Sequence, residues 1–173
     1  MSTLRIYLLG EFRLQQDELA LQLPTQKARL LLSYLVTHCD RAHGRAVLAG
    51  LLWGEMPEDR ALHNLADSLW RIRQIIGPGY LLADRHTLRF NPDADYWLDV
   101  NDFVANAPGP KTRAENEEQE LGRLRHAVAL YRGDFLEGFY DDWCLAERER
   151  LRSLYLDALR ALAAHHKSRG EYE

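Results

Sequence analysis

One stretch of the chain carries polar side chains whose types and spacing suit molecular recognition. From Arg60 to Gly77 it reads RALHNLADSLWRIRQIIG. Arg60, Asn64, Asp67, Ser68, Arg71 and Gln74 recur there at roughly one-turn intervals. Amides can pair with adenine, a guanidinium with guanine or a phosphate, and a carboxylate with the amino group of cytosine. Leu62, Leu65, Leu69, Ile72 and Ile76 recur at helical spacing and form an apolar stripe. Asp59 reads as the N-cap, and Gly77 before Pro78 reads as the stop. If the stripe packs inward, Asn64, Asp67, Ser68 and Arg71 turn outward, which makes them base-reading candidates. An ordinary solvated helix face has the same pattern, so the flanking segments must decide.

Other chemistries find little support. His38, Cys39 and His43 lie close together, but their spacing fits no standard zinc pattern, so no metal is expected. Gly10 follows a β-prone run, yet no Lys-Ser/Thr pair or glycine-rich turn makes it a phosphate loop. No serine, histidine and acid combine into a nucleophilic constellation, so neither enzyme activity nor a cofactor is expected. Cys39 and Cys144 are too few for a disulfide framework and suit a reducing cytoplasm. No apolar run reaches membrane-spanning length and no signal peptide opens the chain, which points to a cytoplasmic protein without a membrane partner. The 22 basic and 26 acidic residues leave a net charge of −4. That balance excludes a strong nonspecific binder of nucleic acid, so any such role rests on local charge placement.

The elements around the stretch follow a recognisable order. Leu4 to Leu9, Phe12 to Leu14 and Leu19 to Leu23 alternate as short strands of a small antiparallel sheet. Thr25 caps a first helix with Ala28, Leu31, Leu32, Leu35 and Val36 inward. Lys27 and Arg29 sit in its first turn, where the helix dipole opposes positive charge and an anionic partner would offset it. A second helix spans Arg45 to Trp53, with Val47, Leu48, Leu51 and Leu52 as its apolar positions. The acidic loop GEMPEDR leads into the third. After Gly77 the period becomes two, and residues 80–90 read as a β-hairpin with Asp84-Arg85-His86 at its basic tip. Three helices and a hairpin make the winged helix-turn-helix plan, whose third helix enters the major groove.

The motifs LGEFRL, PTQKARLLLSYL, LAGLLWGEMPEDRALHNLADSLWRIRQIIG and YLLADRHTLRFNPDADYWLDVNDF occur in that order. Together they resemble the N-terminal part of SARP-type transcriptional regulators, the bacterial activators of the AfsR type. The later stretch LRHAVALYRGDFLEGFYDDWCLAERERLRSLYLDALRALAAHH resembles the bacterial transcriptional activator domain that follows in that family. The resemblance implies a mainly α fold with a small β component. It places an OmpR-like winged helix over 1–100 and a tetratricopeptide-like helical domain over 101–173. It also implies sequence-specific binding of double-stranded DNA and recruitment of RNA polymerase. The family ends its third helix in a pattern like SRLRRALG; here WRIRQIIG keeps Arg71 and Arg73 but substitutes Trp70 and Gln74. Lys27, Arg29, Arg73, Arg85, His86 and Arg89 are the phosphate-contact candidates.

Tyr96, Trp97 and Leu98 form an apolar clamp beside the polar turn Asn91 to Asp95, and APGPK at 107–111 reads as a break. TRAENEEQE reads as a solvated helix start. Helices from Glu118 to Tyr131 and from Trp143 to Arg169 flank an aromatic connection of Phe135, Leu136, Phe139 and Trp143, expected to be core. Such helix pairs need neighbours to bury their faces. The closing GEYE is where a further helix is expected, with further C-terminal domains of the same chain beyond it.

Overall fold

The computed structural model describes residues 2–110 and 114–170. The expected break at 107–111 and the charge run after it therefore lie partly outside the described residues, as does most of the closing GEYE. The strands are β1 (Leu4–Tyr7), β2 (Arg13–Gln16), β3 (Leu19–Leu21), β4 (His43–Gly44), β5 (Leu81–Ala83), β6 (Thr87–Phe90) and β7 (Tyr96–Leu98). The helices are α1 (Gln26–Thr37), α2 (Arg45–Trp53), α3 (Glu58–Ile76), α4 (Asp99–Asn106), α5 (Glu117–Leu130) and α6 (Asp142–Ser168). One sheet has the strand order β3-β2-β1-β7 and the other β4-β6-β5. The apolar clamp Tyr96 to Leu98 is thus a strand. Three residues are too few for alternation to distinguish a strand from a cluster.

By their contacts the residues divide into two compact units, 1–4 with 14–96 and 5–13 with 97–173. In the first, β2 and β3 pair antiparallel with Leu14 opposite Leu21, and Asp17 and Glu18 take the left-handed conformation that the tight turn requires. Thr25 caps α1 as expected, its hydroxyl accepting from the Ala28 amide at 3.1 Å. Leu31, Leu32, Leu35 and Val36 of α1, Leu48 and Leu52 of α2 and Leu65 and Ile72 of α3 are all buried. In α2 the expected apolar face is rotated: Val47 and Leu51 are exposed, and Ala49 and Trp53 are buried in their place. A nine-residue helix with apolar residues on most sides leaves its orientation to tertiary packing.

The second unit is built on α4, α5 and α6. Residues 5–13 join it through a carboxylate. Asp99, 2% exposed, accepts from the amides of Leu8 at 2.9 Å and Leu9 at 2.9 Å. Burial pushes its carboxyl up to about 6, against the opposing pull of those amides. Phe135 and Leu136 of the aromatic connection are fully buried, as core packing requires. Arg148 fixes that connection by donating to the carbonyls of Phe135, Leu136 and Phe139 at 3.0, 2.7 and 2.8 Å. Tyr131 and Tyr155 stack at 4.1 Å. Cys144 is fully buried and desolvation pushes its thiol up to about 12.

Candidate nucleic-acid interface

Helix α3 begins at Glu58, two residues earlier than its sequence suggests, with Pro57 as N-cap. Asp59 lies inside the first turn, where it and Glu58 meet the positive end of the helix dipole. Gly77 closes the helix at φ 95, a backbone conformation that favours glycine. Leu65, Leu69, Ile72 and Ile76 are buried as the stripe predicts, while Leu62 at its margin is half-buried.

The outward face differs from expectation at one named residue. Ser68 is 5% exposed and turns inward, not outward. Its spacing explains this: Ala61, Leu65, Ser68 and Ile72 follow steps of four, three and four, a single row along the helix. All four are buried. Residue type marked Ser68 as outward; periodicity places it inward. The opposite row is His63, Asp67, Trp70 and Gln74, all exposed, with Ala66 beside it. His63 and Trp70 were missed because an aromatic ring is seldom counted as a polar reader. The signal was available in their spacing from Asp67.

Asn64 and Arg71 flank that row, both half-buried. The Asn64 amide donates to the Met56 sulfur at 3.2 Å. Arg71 donates through Nε to Asp67 at 2.8 Å, an (i, i+4) ion pair between side chains 43% and 48% exposed. Exposed pairs of this geometry are worth about 0.3–0.5 kcal/mol, so Arg71 leaves Asp67 at small cost.

The hairpin β5–β6 pairs with Leu82 opposite Arg89. Its tip is organised by Asp84, whose carboxylate accepts from the amides of His86 and Thr87, both at 2.7 Å, and from the Thr87 hydroxyl at 3.0 Å. Those amide bonds hold its carboxyl below the usual range. Arg45 of α2 donates to the Asp84 carbonyl at 3.0 Å and ties the turn to the second helix. Arg85 and His86 project from this rigid tip, both exposed.

The remaining phosphate-contact candidates hold backbone carbonyls. Lys27 Nζ donates to Leu52 at the end of α2. Arg29 donates to Leu23 at 3.3 Å, and Arg73 to Leu81 at 2.9 Å. Arg89 donates to Cys39 at 3.0 Å. In a sequence without long-range contacts, these four cations look as available as Arg85. His38 and His43 are likewise engaged, their ring nitrogens 3.0 Å from the Tyr34 carbonyl and 2.8 Å from the His38 carbonyl.

The geometry on α2, α3 and the β5–β6 hairpin is that of a winged helix, followed by a tetratricopeptide-like pair of helices. Comparison with known proteins bears on it directly. Residues 98–173 match the family model of the bacterial transcriptional activator domain. The regulatory protein AfsR of Streptomyces coelicolor is 27% identical over 158 residues, covering 90% of this chain and 16% of that protein. A structure of Mycobacterium tuberculosis EmbR, in complex with a low affinity phosphopeptide, aligns with a TM-score of 0.80 at 23% identity. That alignment covers 98% of this chain and 47% of the other, so the chain spans less than half the length of these two relatives. Residues 98–173 thus match a bacterial transcriptional activator domain, and the chain as a whole is similar to SARP-type transcriptional regulators in sequence order and fold.

Proposed function

We propose that the chain binds double-stranded DNA at specific sequences, with α3 in the major groove and the β5–β6 tip on the backbone, and acts as an activator. The supporting observation is the pairing of an exposed α3 row with a tip that presents Arg85 and His86 from a hydrogen-bonded turn. Asp67 on that row, with Asn64 and Arg71 beside it, then reads base edges. Recruitment of RNA polymerase and work in the cytoplasm complete this reading. Among the described residues no helix is long and apolar enough to cross a membrane. The tested quantity is specificity against salt. A duplex selected from a random pool should bind at least roughly a thousandfold more tightly than bulk DNA. Its affinity should fall as salt rises, with a slope near 0.9 per phosphate contacted. Equal affinity for all sequences refutes the reading.

A second reading has its own support. With Lys27, Arg29, Arg73 and Arg89 turned to carbonyls, and Leu145, Leu156 and Leu159 of α6 exposed, the chain could serve as a protein-interaction module. It predicts no duplex preference and binding through residues 118–170, with further domains of the same chain as partners.

A further inference from the structure

We infer that Trp70 reads thymine methyl groups in the major groove, so that the preferred DNA site carries A·T pairs under the middle of α3. This rests on the DNA-binding reading above and adds a specificity determinant to it. Trp70 is 61% exposed on a helix whose apolar stripe is complete without it. Its place opposite that stripe serves no packing within the fold, and an exposed indole forgoes the gain of burial.

The side chain's chemistry narrows what it can contact. An indole has one N–H donor and no acceptor, so it cannot pair bidentately with a base edge. It offers apolar area instead. Among the four bases, only thymine presents an apolar group, its C5 methyl, at the edge of the major groove. Exposed Ala66 lies four residues before Trp70 and enlarges the apolar patch. Gln74 lies four residues after it, and its amide can pair with adenine, the partner of thymine. The row thus places an apolar contact and an adenine reader one helical turn apart.

Deoxyuridine lacks only that methyl. The experiment replaces each thymine of the selected duplex by uracil in turn and measures binding of the full chain by fluorescence anisotropy. At one or two positions the wild type should lose roughly fourfold in affinity, the worth of one buried methyl-sized group. Trp70→Ala and Trp70→Gln should bind the thymine and uracil duplexes equally at those positions, with melting temperatures unchanged. If the uracil penalty is absent, or persists in both variants, the inference is overturned while DNA binding stands. If no duplex is preferred at all, the inference falls together with the DNA-binding reading.

Discussion

Substituting Asp67 by asparagine should tighten nonspecific DNA binding, and the size of the effect follows from the ion pair on α3. In the wild type, Arg71 donates to Asp67 at 2.8 Å, and both side chains face solvent. Binding a phosphate or base through Arg71 requires that pair to open, which costs about 0.3–0.5 kcal/mol. A carboxylate about 6 Å from a phosphate adds roughly 0.7 kcal/mol of repulsion in water. Asp67→Asn removes both terms and keeps the shape of the side chain. The sum is about 1 kcal/mol, a gain of roughly fivefold for a random duplex at low salt. The gain should shrink above physiological salt, where the repulsion is screened. Fluorescence anisotropy with a scrambled duplex at several salt concentrations reads it directly. If affinity at low salt is unchanged within twofold, Asp67 does not face phosphates, and if Arg71→Ala also leaves binding unchanged, α3 is not in the groove.

Three further outcomes test the fold itself. Arg148→Ala should destabilise the chain by about 2–3 kcal/mol in urea unfolding, because three carbonyls lose their donor; Arg148→Lys should recover only part of it. Asp99 has its pKa raised in the fold, to about 6 from 3.8, so the folded state holds its proton more tightly. Its stabilising contribution is complete below the unfolded value and is lost as pH rises through the folded one. From this group alone the chain should be about 1 kcal/mol more stable at pH 5 than at pH 7, and Asp99→Asn should abolish that difference. Cys39 should react with a thiol reagent in the native state, while Cys144, fully buried with its thiol pushed up to about 12, should react only on unfolding.

The limits of sequence reading show at particular residues. The stripe of α3, the Thr25 cap, the Gly77 stop and the hairpin tip were legible because each is set by spacing or by residues within a few positions. Ser68 misled because its type was weighed above its place in the row with Leu65 and Ile72. The engagement of Lys27, Arg73 and Arg89 was not legible, for a different reason. The carbonyls they hold lie 8 to 50 residues away, and no local pattern encodes such pairs. The same holds for Asp99, whose bonds to Leu8 and Leu9 span about ninety residues and group residues 5–13 with the C-terminal unit.

The central claim is that the outward row of α3 and the hairpin tip meet DNA. Amide NMR of the full chain, titrated with the selected duplex, tests it residue by residue. The account predicts shifts concentrated at His63 to Gln74 and at Asp84 to Thr87, with α5 and α6 unmoved. Shifts confined to residues 118–170, or none at saturating duplex, would contradict it.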